Sequence, residues 1–108
     1  MAHRVLLTED AVQDLEEIYE YIGQHDSRAA ANRVLDRIEK AMASLADSPN
    51  QGHHPKELLS LGLREYRQVL SKPYRIIYRV SADAVFIYLI ADGRRDLRTL
   101  LARRLLGA

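Results

Sequence analysis

Tyr74-Arg75-Ile76-Ile77-Tyr78-Arg79-Val80, then Ser81-Ala82-Asp83, then Ala84-Val85-Phe86-Ile87-Tyr88-Leu89-Ile90-Ala91, is the stretch on which the fold turns. In the first run Tyr74, Ile76, Tyr78 and Val80 alternate with Arg75, Ile77 and Arg79. That period of two places one side of a β-strand against a core. The second run is apolar on both sides, as a central, covered strand would be. The three-residue turn between them predicts antiparallel neighbours. Upstream, Leu63 to Leu70 reads as a third strand. Residues 49–62, bounded by Pro49 and Gly62, read as a loop with room for a helical turn at Lys56 to Leu61.

Further upstream the period becomes helical. Thr8 is placed to cap a helix whose first turn holds Glu9 and Asp10, where negative charge suits the dipole. Ala11, Leu15, Ile18 and Ile22 then recur at spacings of three and four. Asp26 or Ser27 caps a second helix, with a stripe of Ala31, Val34, Leu35, Ile38, Met42 and Leu45. It ends at Ser48-Pro49-Asn50, because proline disfavours helix before it. The short link predicts an antiparallel helical hairpin. His3 to Leu7 reads as a strand that joins the sheet. The tail, Arg94 to Leu106, reads as a helix with Leu97, Leu100, Leu101 and Leu105 on one stripe.

The order is β-α-α-β-β-β-α, a single α+β domain over residues 1–108. The hairpin should pack on one face of a three- to four-stranded antiparallel sheet, burying Leu15, Ile18, Ile22, Leu35, Ile38 and Leu45 against Tyr74, Ile76, Tyr78 and Val80. The other face should be partly open and carry Arg75 and Arg79.

Composition narrows the function classes. The 108 residues include no cysteine, which excludes disulfides and thiolate metal sites and fits a reducing cytoplasm. No run approaches the roughly 18 apolar residues of a membrane span. Val5-Leu6-Leu7 is too short for a signal peptide. Residues 1–48 hold 5 Lys/Arg and 10 Asp/Glu, a net of −5; residues 49–108 hold 11 and 5, a net of +6. One acidic and one basic face are expected, the basic one suited to an anionic partner.

Several segments together resemble the RelE/ParE superfamily of toxins from type II toxin–antitoxin systems. Asp14-Leu15-Glu16-Glu17-Ile18-Tyr19-Glu20-Tyr21-Ile22 is similar to the first helix of these toxins. Leu45 to Gly52 matches an L-x-x-x-P-x-x-G exit from the second helix. Gly62-Leu63-Arg64 with Tyr74-Arg75-Ile76-Ile77-Tyr78 matches a G-x-R … Y-R-I-x-Y core. Asp92-Gly93-Arg94-Arg95-Asp96 and the tail Leu100-Leu101-x-Arg103-Arg104-Leu105-Leu106 complete the pattern. The resemblance implies a cognate antitoxin as partner, hetero-oligomers with it, and growth arrest as the outcome. It also implies one of two targets: messenger RNA in the ribosome for RelE-like members, or DNA gyrase for ParE-like members. A relative that has lost toxicity and only binds antitoxin is a third reading. Plasmid stabilisation is a role such pairs serve.

Chemistry separates the first two. Cleavage through a 2′-hydroxyl needs a base, an acid and cations on the phosphate. By resemblance, Arg75 and Arg94 or Arg95 match the cations of the cleaving relatives. Their strand lysines fall on Tyr66 and Gln68 here, and the tail position of their Tyr or His falls near Leu101. The tail holds no Tyr and no His. The sequence therefore favours the ParE branch, with no catalytic residue expected; if the chain is an RNase, Arg75 and Arg95 are the charge-stabilising pair. The target-binding candidates are Arg94, Arg95, Arg98, Arg103 and Arg104 on the tail, with Arg75 and Arg79 on the sheet.

Plainer roles stand beside these. Arg75 can staple the sheet through a carboxylate, and Tyr74 and Tyr78 can be core aromatics with bonded hydroxyls. Two arginines at a helix start oppose the dipole, which favours an anionic partner for Arg94 and Arg95. His53-His54 has only Glu57 at chelating spacing, so no metal and no cofactor is expected. Glu16, Glu17 and Glu20 read as solvated surface.

Overall fold

Thr8 starts the first helix: its hydroxyl accepts from the Ala11 N–H at 3.1 Å, and its backbone is extended. In the computed structural model, which describes residues 2–107, this helix, α1, runs Glu9–His25. Ser27 caps α2, Arg28–Ala43, in the same way at 3.0 Å, and one 3₁₀ turn, Ser44–Ala46, extends it. The strands are β1 Arg4–Leu7, β2 Tyr66–Ser71, β3 Tyr74–Ser81 and β4 Ala84–Asp92. A single helical turn, α3, covers Lys56–Leu59, and the tail helix, α4, covers Leu97–Leu106.

The sheet order is β1-β4-β3-β2. The meander β2-β3-β4 is antiparallel, as expected. β1 does join the sheet, but parallel to β4, so the four-stranded sheet is mixed rather than wholly antiparallel. The chain between them makes a long crossover through the hairpin, which a parallel pair requires.

The hairpin packs on the face carrying Ile76 and Tyr78, with Tyr74 and Val80 partly buried at its margin. Ala11, Ile38 and Leu45 are fully buried there, and Met42 nearly so. β4 changes phase at a bulge: Ile77 opposes Leu89 and Tyr78 opposes Ile87, leaving Tyr88 as the extra residue. Val85, Ile87 and Ile90 therefore face the hairpin, while Leu89 and Ala91 face the other side. This is the physical reason the segment reads as apolar throughout.

Two expectations are corrected. Leu15, Ile18, Ile22 and Leu35 are only half-buried. Leu35 and Leu15, with Val12 and Tyr19, line an outward groove of about 430 Å³ between the two helices. The sheet covers less of the hairpin than the apolar stripe would allow. The second sheet face is also less open than expected: Leu58 of α3 and Leu97 and Leu101 of α4 bury Ile77, Leu89 and Ala91 in a second cluster.

The L-x-x-x-P-x-x-G exit has a structural cause. The buried Tyr78 hydroxyl donates to the Pro49 carbonyl at 2.8 Å and accepts the Gly52 N–H at 3.0 Å. A Cβ on Gly52 would stand 2.5 Å from the Gln68 carbonyl oxygen and 2.6 Å from Tyr78 Oη. Only glycine allows the loop to approach the sheet so closely. Burial raises the Tyr78 phenol above its ordinary pKa, so the hydroxyl remains available as donor.

Candidate functional site

Arg75 stands on the second sheet face, where alternation puts it. Its surroundings are not those of a free cation. Nη1 and Nη2 donate to the two oxygens of Glu57 at 2.7 and 2.8 Å, and Nε donates to Gln68 Oε1 at 2.7 Å. The Arg75 and Glu57 side chains are 12% and 14% exposed, so the pair is largely shielded from water. Such a planar, two-pronged pairing is the strongest geometry a guanidinium makes with a carboxylate. It holds the Glu57 carboxyl well below the usual range, at about 2, chiefly through the Arg75 hydrogen bonds. Gly93 completes the enclosure: a Cβ there would meet Arg75 Cδ at 3.0 Å.

The neighbouring positions on β2 are engaged in hydrogen bonding and packing. Gln68, where the cleaving relatives carry a lysine, orients Arg75 and cannot titrate. Tyr66 packs edge-on against Tyr88 with ring centroids 5.6 Å apart, and burial raises its pKa. Both residues are used structurally. Glu57 is the partner of Arg75 that the sequence concealed. It lies in a loop without periodicity, and only its nearness to His53-His54 drew notice. Those two histidines turn to different partners: the His53 backbone pairs with Gln68, and His54 Nδ1 lies 3.1 Å from the Tyr66 carbonyl. Among the described residues no cluster of three or more His, Asp or Glu could hold a metal.

The tail arginines divide into two groups. Arg104 points inward. Its guanidinium binds both oxygens of Asp14 on α1, at 2.9 and 3.0 Å, and donates to the Tyr88 carbonyl at 2.9 Å. Asp14 also accepts the Ile90 N–H at 3.0 Å, so it ties α1 to both β4 and α4. Arg104 is thus engaged within the fold, as a tether between α4, α1 and β4. Arg94, Arg95, Arg98 and Arg103 are exposed. Arg94 Nε donates to Asp92 at 2.9 Å, which lowers the Asp92 pKa to about 2, yet Arg94 itself remains 80% exposed. The expected clash of Arg94 and Arg95 with a helix dipole disappears. α4 begins only at Leu97, Asp96 caps it by accepting the Arg98 N–H at 3.1 Å, and the two arginines precede it in a turn.

Arg94 and Arg95 border a groove of about 500 Å³ between α1 and the ends of β3 and β4, floored by Ile18, Tyr21, Tyr74 and Ile90. It joins exposed cations to the exposed ring of Tyr21 and the half-buried ring of Tyr74, with Asp14, Glu17 and Asp92 also in its lining. Arg79 is set apart from them: it pairs with Tyr66 and Phe86 across the sheet and is half-buried.

The chain is similar to several known proteins. Residues 5–97 match the family described as the ParE toxin of the type II toxin–antitoxin system parDE. Toxin ParE3 of Caulobacter vibrioides is 29% identical over 94% of this chain and 97% of its own length. Toxin RelE2 of the same bacterium is 38% identical over 85% of this chain and 97% of its own. The chromosomal ParDE system of P. aeruginosa superposes with a TM-score of 0.70 at 20% identity, covering 84% of this chain and 96% of that one. A free-state E. coli RelE mutant superposes with a TM-score of 0.62 at 15% identity, covering 93% of each chain, which supports the shared fold.

Proposed function

The chain belongs to the ParE toxin family of type II toxin–antitoxin systems, and from that premise we propose that it inhibits DNA gyrase by surface complementarity, without hydrolysis. The observation that carries the proposal is the filled fork of Arg75. The cation that an RNase would present to a scissile phosphate already holds the Glu57 carboxylate. Beside it, Gln68 has no titratable proton, and the Glu57 carboxylate is ionised and held by both prongs of the guanidinium. What remains is a binding surface. Arg94 and Arg95, at the rim of the Tyr21–Tyr74 groove, form its centre, and Arg98 and Arg103 extend it. Exposed cations speed encounter with an acidic surface or with gyrase-bound DNA, and their effect falls as salt rises.

A cognate antitoxin is the second partner, and the expected place of action is the cytoplasm. One superposable structure, with a TM-score of 0.57, is a RelBE2 toxin–antitoxin complex from Mycobacterium tuberculosis. An antitoxin segment that folds on binding should bury more than about 1,500 Å² to offset its own ordering.

The identity to Toxin RelE2 favours a second reading, ribosome-dependent cleavage of messenger RNA. Two assays on the same purified chain separate them. Gyrase should accumulate cleaved DNA, and primer extension on ribosome-bound mRNA should show an intact message. Arg94→Ala with Arg95→Ala should reduce the gyrase effect on the order of tenfold, equivalent to about 1.4 kcal/mol, with an unchanged circular-dichroism spectrum. Codon-phased mRNA cuts with unaffected gyrase would hand the function to the endonuclease reading.

A further inference from the structure

Glu57 does more than staple a loop. Arg75 is the second residue of β3, on the covered face of the sheet, and three of its N–H groups are aimed by neighbours. Gln68 accepts from Nε and fixes the plane, while Gly93 leaves room for the stem. The two remaining N–H groups of the guanidinium have no acceptor among the described residues, and the side chain retains a 12% opening to solvent. A fork preset in this way accepts any planar or tetrahedral oxyanion, and phosphate fits it as well as carboxylate. The present occupant arrives on α3, a helix of one turn whose residues Lys56–Leu59 are anchored by the buried Leu58. The occupant is thus supplied by a single helical turn, whereas the seat is built into the sheet.

We propose that Arg75 and Gln68 form an oxyanion seat whose resident ligand is the chain's own Glu57, and that Glu57 thereby denies the seat to phosphate groups of nucleic acid. Glu57 is a specificity-determining residue: it restricts the protein to partners that bind elsewhere on its surface. This inference deepens the non-cleaving reading above and rests on it. Because Glu57 stays ionised down to strongly acidic pH, the seat remains filled throughout the physiological range.

The test uses the full chain with Glu57→Ala, with Glu57→Gln, and with Glu57→Ala combined with Arg75→Leu. The probes are inorganic phosphate and a fluorescently labelled single-stranded RNA oligonucleotide. Melting is followed in phosphate and in chloride at equal ionic strength, and RNA binding by anisotropy. Glu57→Ala should gain a phosphate-specific rise in Tm that the wild type lacks. It should also bind the RNA about tenfold more tightly, and both gains should vanish when Arg75 is also replaced. If Glu57→Ala does not fold in chloride, phosphate should restore its fold, and Glu57→Gln should show the RNA gain. A folded Glu57→Ala that ignores phosphate overturns the proposal, as does a gain that survives Arg75→Leu. So does failure of phosphate to restore an unfolded variant while Glu57→Gln shows no RNA gain. Gyrase inhibition by the wild-type chain is read separately, so failure of this inference and failure of the gyrase reading are distinct results.

Discussion

Beneath the helical hairpin the sheet meets a mostly apolar layer in which Tyr78 is the one fully buried phenol, whereas its other face is closed by leucines together with a guanidinium locked to a carboxylate. The helices explain the difference. α1 and α2 have 17 and 16 residues and present long stripes. α3 and α4 have 4 and 10 residues, and they bury only Leu58, Leu97 and Leu101 completely. A non-directional force over a broad area suffices to place a long helix. A single helical turn has too little area for that, and a directional pair fixes where it lies. The Arg75–Glu57 and Arg104–Asp14 pairs do this for α3 and α4. The lesson is that the cations on this side were used for construction before they could be used for chemistry.

Three measurements can break or sharpen that contrast. The largest effect should come from Ile38→Ala, at the centre of the hairpin face, with a loss of about 4 kcal/mol in urea unfolding from transfer and cavity terms. A loss below about 1 kcal/mol would mean that the hairpin is not the main source of stability. Next comes acid. The Glu57 carboxyl falls from 4.5 in the unfolded chain to about 2 in the fold. Its contribution is therefore complete above pH 4.5 and is lost as pH falls through about 2. Glu57→Gln should cost on the order of 3 kcal/mol at pH 7, and the gap between variant and wild type should close towards pH 2. A pH-independent gap would show that the pair is not held by charge. The smallest effect belongs to Leu35→Ala, in the outer groove, where partial exposure should limit the loss to about 1 kcal/mol. A cost of several kcal/mol would place Leu35 in the core after all.

What was legible in the sequence was local or periodic. Thr8 and Ser27 announce their helices because the cap and the N–H it accepts lie three residues apart. The alternation around Tyr78 announces its face because neighbouring side chains must point oppositely. Illegible features depend on distant partners. The parallel docking of β1 on β4 is decided across roughly 80 residues of intervening chain, and nothing in His3 to Leu7 specifies direction. Leu35 belongs to a helical stripe, but whether a stripe's shoulder is covered depends on the width of the sheet beneath it. Arg75 was readable as a candidate, but its partner lies 18 residues upstream on the single turn α3, so its neutralisation was not. The same holds for Arg104, whose position in a basic tail suggested an outward role.

That last contact has a consequence in time. Asp14 and Arg104 are 90 residues apart, almost the whole chain. During synthesis, the first helix leaves the ribosome carrying a carboxylate whose counter-ion has not yet been translated. β1 likewise waits for Ala84 to Ile87 before it has a neighbour. At about 5–20 residues per second, several seconds separate the first half of these contacts from the second. A chain stopped short of Arg104 lacks the bond that joins α4 to α1, so this surface is complete only after Arg104 has been added.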